Sequence, residues 1–240
     1  MTDRPKIRLY VDHPLGQGQS VAVSRDHANY LFNVMRLGVG AEVALFNGVD
    51  GEWRAQVAAA GKRGGVLRCD EQTAPQVTPP DLWLLFAPIK KARTDFIVEK
   101  AAELGAARIC PVQTDRTNAD RIRQDRLQAR AIEAAVQCGG TFVPPVDELR
   151  PLAKMLDTWD VGRALVFADE GGVGRASVAL PQAPAAVLIG PEGGVSAAER
   201  ERLRGLPFVH TLPLGPRILR ADTAAVAALT LWQSSKGDWE

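Results

Sequence analysis

Several continuous apolar runs in this chain end in a turn and are followed at once by helix signals. That alternation restricts the chain to few architectures. Residues 82–87, 163–168 and 185–189 are almost wholly apolar, and amphipathic segments separate them. Strands apolar on both faces, alternating with helices, imply a parallel sheet covered on both sides. Two of the turns stand out. Residues 188–194 read Leu-Ile-Gly-Pro-Glu-Gly-Gly, and residues 212–220 read Leu-Pro-Leu-Gly-Pro-Arg-Ile-Leu-Arg. A strand that stops in such a turn and restarts as a helix leaves backbone N–H groups facing a crevice. In open α/β sheets, ligands bind in that crevice, outside the carboxyl ends of the strands. Each turn carries a Gly-Pro pair and a charged residue, so the reading is one composite pocket.

The helix signals fit this plan. Thr94 is read as the cap of a helix with Ile97, Val98, Ala101, Ala102 and Leu104 on one face, stopped by Gly105. Residues 108–112 read as a strand. Residues 126–138 read as a helix with Leu127, Ala131, Ile132 and Ala135 inward, stopped at Gly139-Gly140. Ser196-Ala-Ala-Glu199 is a capping box. Residues 208–214 form a last strand and residues 221–235 an alanine-rich helix.

The first 74 residues follow a different rule. Short strands are expected at 6–11, 21–24, 41–46, 53–60 and 66–70, with one helix capped by Asp26 and carrying Tyr30, Leu31, Val34 and Met35. Asn47-Gly48-Val49-Asp50-Gly51 is a hairpin signal. Several short strands and one helix suggest a small, partly closed β-barrel. The proline-rich stretch 73–80 is the linker, giving domains 1–74 and 75–240.

Composition narrows the chemistry. The chain has 240 residues, 46% apolar and 24% charged, and a formal net charge of +1. Bulk charge therefore does not announce nucleic acid. Local basic groups do occur: Lys90, Lys91 and Arg93, then Arg116, Arg121, Arg123, Arg126 and Arg130, with Asp115, Asp120 and Asp125 interleaved. They fit either phosphate contact or a solvated face. No apolar run reaches the roughly 18 residues of a membrane span, and the first residues do not read as a secretory signal. The expectation is a cytoplasmic protein with no membrane. Cys69, Cys110 and Cys138 are too scattered for a metal site and are expected to be buried free thiols. The Ile-Gly-Pro-Glu-Gly-Gly turn is neither a Walker A motif nor GxGxxG, which disfavours nucleoside triphosphates and NAD. Glu192, in a tight turn beside apolar strands, needs a partner. Arg217 and Arg220 lie close to the same crevice and suit an anion or developing negative charge. The histidines, His13, His27 and His210, carry no evident chemistry, and His27 near a helix start is the one to follow.

Taken together, these segments resemble a known family. The two Gly/Pro turns, the run 95–105 (Asp-Phe-Ile-Val-Glu-Lys-Ala-Ala-Glu-Leu-Gly), and 133–139 (Glu-Ala-Ala-Val-Gln-Cys-Gly) are similar to the RsmE-type 16S rRNA (uracil-N3)-methyltransferases, of the SPOUT superfamily. Residues 8–11, 27–31, 35–37 and 46–48 extend the likeness through the N-terminal part. The resemblance implies a C-terminal SPOUT α/β domain with a trefoil knot and a small N-terminal PUA-like β-barrel that binds RNA. It implies a homodimer, S-adenosylmethionine as methyl donor with no metal, and 16S rRNA of the small ribosomal subunit as partner. Cofactor binding then falls to Ile189, Gly190, Glu192, Gly193, Gly194, Leu214, Gly215, Ile218 and Leu219. Arg220 or Arg93 faces the uracil oxygens. Glu99 and Asp222 are candidate bases. Arg8, Arg36, Lys90 and Lys91 are the candidate RNA contacts. The chain departs from the family at Lys90-Lys91-Ala92-Arg93 and at Arg220-Ala221-Asp222-Thr223, which blurs which side chain meets the substrate. Other readings remain: a SPOUT enzyme acting on a ribose 2′-hydroxyl or another base, or a non-catalytic RNA-binding ribosome-assembly factor.

Overall fold

The computed structural model describes residues 5–61, 63–119, 121–171 and 179–239. They fall into two compact units. One holds Met1–Thr78 together with Ala135–Val143, and the other holds Pro79–Ala134 with Pro144–Glu240. The first unit therefore extends beyond the expected 1–74, taking in most of the proline-rich segment and the residues around Gly139-Gly140.

The N-terminal unit is a mixed five-stranded sheet in the order β1-β3-β4-β5-β2. Its strands are β1 (Arg8–Tyr10), β2 (Ser20–Ala22), β3 (Glu42–Phe46), β4 (Glu52–Gly61) and β5 (Gly64–Ala74). β1 pairs with β3 in parallel and the other pairs are antiparallel. The two edge strands are three residues long, which limits the unpaired backbone they offer. Inward residues of every strand, including Leu9, Val21, Val43, Leu45, Val57 and Leu67, pack one core. Leu31 of the helical segment joins it. That segment is α1 (Arg25–Ala28) continuing as a π-helical turn (Asn29–Val34). Ser24 caps it, not Asp26: the Ser24 hydroxyl accepts from the His27 N–H. Asn47 turns the chain as expected, its Oδ1 accepting from the N–H groups of Val49 and Asp50. The proline-rich segment is anchored here, with the Val77 N–H donating to Thr141 Oγ1 at 3.0 Å.

The C-terminal unit is a six-stranded, wholly parallel sheet. Its elements in order are β6 (Leu82–Phe86), α2 (Lys91–Glu103), β7 (Arg108–Gln113), α3 (Gln124–Cys138), β8 (Arg150–Pro151), α4 (Leu152–Asp157), β9 (Ala164–Ala168), β10 (Ala185–Ile189), α5 (Ala197–Arg204), β11 (Val209–Leu212) and α6 (Ala221–Lys236). All five residues of β10 are buried, as continuous apolar strands require between covered faces. The order across the sheet is β11-β9-β10-β6-β7-β8. The chain does not lay β11 beside β10. It returns to the far side of β9, so β9 lies between the two strands that follow it.

Two further local expectations are corrected. α2 starts at Lys91, and Thr94 is inside it, its hydroxyl exchanging hydrogen bonds with the backbone of Ile89. Cys138, the last residue of α3, is exposed, whereas Cys69 and Cys110 are buried. β8 and α4 are not legible in the sequence, because β8 has two residues and α4 six.

Candidate active site

The strand order makes neighbours of three strand ends. β9 stops at Ala168, β10 at Ile189 and β11 at Leu212, all pointing the same way. The loops that follow surround one cavity of about 690 Å³. From β9 come Ala168, Asp169 and Glu170. From β10 come Ile189, Gly190, Pro191, Glu192 and Gly194. From β11 come Leu214, Gly215, Pro216, Arg217, Ile218 and Leu219, with Ala221 and Ala224 of α6 closing one side.

Shape explains the glycines. Gly194 has φ +66°, a left-handed backbone that side chains rarely adopt, and a Cβ there would collide with the Glu170 carboxylate. The loop is held from behind. Arg116 donates to the Gly193 carbonyl at 2.8 Å, the Asp115 N–H donates to Glu199, and the Ser196 hydroxyl donates to Asp115. Ser196 and Glu199 complete the capping box that starts α5. Gly193 itself turns toward Arg116 and is not part of the lining.

The β9 loop also belongs to the site, although its sequence does not announce it. Asp169 is buried and accepts from Arg200 Nε at 3.0 Å and Arg204 Nη2 at 2.5 Å, both on α5. Arg200 also pairs with Glu170. The signal existed: Asp169-Glu170-Gly171 follows an apolar strand just as the other two turns do. It lacks the Gly-Pro pair that drew attention to them.

The other site residues divide. Glu192 lines the cavity but is exposed, so water meets the need for a partner that its position suggested. Ile218 is 84% exposed although it lines the cavity, an apolar surface left open for a ligand. Arg220 is exposed and stands at the N-terminus of α6, between the lining residues Leu219 and Ala221. Arg93 is held at 2.8 Å by Asp222, whose other oxygen accepts from the Thr223 N–H. Asp222 is thus engaged and poorly suited to be a base. Glu99 is not in the lining. It lies further along α2, where its charge acts on Arg130 of α3.

In the N-terminal unit, Arg36 is exposed with φ +55° and has exposed Val34 and Met35 beside it. Arg8 is the correction. Its side chain is 9% exposed and pairs with buried Glu52 at 2.5 Å. It also donates to the carbonyls of Ala135 and Gly140, and its guanidinium lies 3.7 Å from the Phe46 ring centre. That guanidinium is spent inside the fold, so Arg8 is a structural residue, not an RNA contact. Burial holds the His27 imidazole below its usual value, and His27 takes no part in the cavity. Among the described residues, no cluster of His, Cys, Asp and Glu could hold a metal, and no helix is long and apolar enough to cross a membrane.

A parallel sheet with an apolar, glycine-shaped cavity at its carboxyl edge defines an α/β domain built to hold a small organic ligand. A family model described as an RNA methyltransferase domain matches residues 77–233, and one described as an RNA methyltransferase PUA domain matches 23–68. The chain belongs to this RNA methyltransferase family. The ribosomal RNA small subunit methyltransferase E of Mycobacterium bovis is 30% identical over 97% of this chain and 95% of its own length. That of Rickettsia conorii is 29% identical over 92% and 93%. The crystal structure of the Neisseria gonorrhoeae ribosomal RNA small subunit methyltransferase E bound to S-adenosyl methionine superposes with a TM-score of 0.87 at 27% identity, covering 99% of this chain and 100% of that one. The PUA-like plus SPOUT α/β fold class expected from the sequence is the one observed.

Proposed function

We propose that this chain transfers a methyl group from S-adenosylmethionine to N3 of a uridine in 16S rRNA of the small ribosomal subunit, as a cytoplasmic homodimer. The observation that carries the reading is the single cavity made by the loops after β9, β10 and β11. Its chemistry fits the cofactor. Ile189, Leu214, Ile218 and Leu219 offer apolar surface for an adenine, and the acids Glu170 and Glu192 suit ribose hydroxyls or an ammonium group. Arg217, in the same lining, suits a carboxylate. The trefoil knot implied by the family resemblance accounts for a chain that leaves β10 and returns beside β9.

When bound, S-adenosylmethionine supplies an electrophilic methyl group on a sulfonium. The protein's task is to align the uracil N3 with it and to ease loss of the weakly acidic N3 proton to water. An arginine is a poor base but stabilises the negative charge that spreads onto O2 and O4 as the proton leaves. Arg220 is the better placed, because Asp222 already occupies Arg93. The N-terminal unit, with Arg36 exposed on it, binds RNA, and Lys90 and Lys91 add contacts at the start of α2.

The test is methyl transfer from labelled cofactor to purified small subunits from cells lacking the gene, with mass spectrometry of the nucleosides. The reading predicts 3-methyluridine. A ribose-methylated product would change the target, and absence of cofactor binding would leave a non-catalytic assembly factor. Arg220→Ala should lower turnover on the order of 10²–10³-fold, the typical cost of a lost anion-stabilising donor. Unchanged turnover would remove Arg220 from the mechanism.

A further inference from the structure

We infer that a second cavity, on the same edge of the sheet, holds a backbone phosphate of the RNA strand whose base is methylated. The inference rests on the reading above, that the chain methylates RNA. The cavity is about 340 Å³ and lies between the end of β6, the first turn of α2 and the segment before α3. Four of its lining residues are cations, Lys91, Arg121, Arg123 and Arg126, and none is an acid. This is the basic group singled out in the sequence that the catalytic cavity does not use.

Two of the four cations are spent within the protein. Arg123 pairs with Asp125 at 2.7 Å and Arg126 with Asp95 at 2.7 Å. Lys91 and Arg121 are exposed and make no ion pair among the described residues. The positive charge of these two, at one concavity, is left for an entering anion to neutralise. The start of α2 adds to this. Its first turn contains no acid, and Lys90 at its cap position supplies no side-chain hydrogen bond. Cations at that end of a helix oppose its dipole, and an anion offsets both terms.

Position identifies the anion. Ile189 lines the cofactor cavity, and its carbonyl accepts from the Ala87 N–H at 3.0 Å. The next residue, Pro88, already lines the basic cavity. On the other side, Arg93 and Asp222 join the first turn of α2 to the first turn of α6 at 2.8 Å. Those turns line the basic cavity and the cofactor cavity respectively. The Arg93–Asp222 ion pair therefore links the two helices whose first turns line the two spaces. A strand that delivers a base to the edge of the first carries its phosphodiester past the second.

The test uses the full-length protein with Lys91→Gln and Arg121→Gln combined. Small ribosomal subunits serve as methyl acceptor, and a short uridine-containing RNA reports binding by fluorescence anisotropy across a salt series. The double variant should raise the KM for RNA on the order of tenfold with kcat little changed. The slope of log affinity against log salt should shrink by roughly 1 to 2 units. Calorimetry should give an unchanged S-adenosylmethionine affinity, Arg121→Lys should retain the slope, and Lys154→Gln on α4 should match the wild type. RNA affinity and salt slope both unchanged in the double variant would overturn the phosphate site alone, since the wild type would still methylate RNA. A wild-type protein that binds cofactor but transfers methyl to no RNA would overturn the underlying reading, and the inference with it.

Discussion

Glu52 in the N-terminal sheet and Asp169 at the end of β9 are the same device put to different uses. Each is a buried carboxylate held by arginine. Glu52 takes Arg8 and the Thr73 hydroxyl, and Arg8 goes on to carbonyls at the end of α3 and in the loop after it. The partners named here all lie within the unit they stabilise. Asp169 takes two arginines from α5, and the next residue, Glu170, faces the cavity proposed for the cofactor. The first network sets a fold and the second aims a loop. A buried pair is therefore not a sign of function by itself; what its immediate neighbours face decides the matter.

The difference can be broken from either side. Arg8→Ala leaves Glu52 buried without its main partner, and should destabilise the protein by about 3–5 kcal/mol. Denaturant melts should show the loss, while cofactor affinity of the remaining folded protein stays at the wild-type level. Asp169→Ala should cost a similar amount of stability, somewhat less because Arg200 and Arg204 are partly exposed and regain water. It should also weaken S-adenosylmethionine binding on the order of tenfold in calorimetry, because Glu170 and the β9 loop lose their anchor. Equal cofactor affinity in both variants would erase the distinction. Gly194→Val sharpens it further. The new side chain meets Glu170 from a backbone at φ +66°, so cofactor affinity should fall on the order of 10²-fold.

The smallest effect concerns pH. The Asp50 carboxyl is held below the ordinary carboxylate range by hydrogen bonds from the Leu15 N–H and the Asn47 amide. Its stabilisation is complete above the unfolded-state value and is lost as pH falls through the lower folded value. Asp50→Asn should therefore lower the melting temperature slightly near neutrality, a change under about 1 kcal/mol. The gap to wild type should close in acid. A gap that widened in acid would reverse the sign.

The sequence made the site legible where chemistry and local conformation coincide. Gly190 to Gly194 and Leu214 to Leu219 announce themselves by Gly-Pro turns after apolar strands, and most of them line the cavity. Asp169 and Glu170 did not, since an acid after a strand looks like any solvated turn until its arginines are placed. Arg8 misled for the converse reason. A lone arginine in a short strand reads as a surface cation, and only the fold shows Glu52 and Phe46 around it. Arg93 and Asp222, far apart in the chain, were both candidates for chemistry until their 2.8 Å contact engaged each with the other.

The amino-acid order by itself determined a parallel α/β sheet, a separate unit of short strands before it, and two loops fit to hold a ligand. Those properties follow from side-chain periodicity and backbone freedom, which act over a few residues. Only the tertiary structure decided that β11 returns beside β9, bringing a third loop to the cavity, and that one basic group lines a second cavity while another arginine is buried. Strand order and charge pairing join residues distant in the chain, and no local pattern encodes which distant partner each will meet.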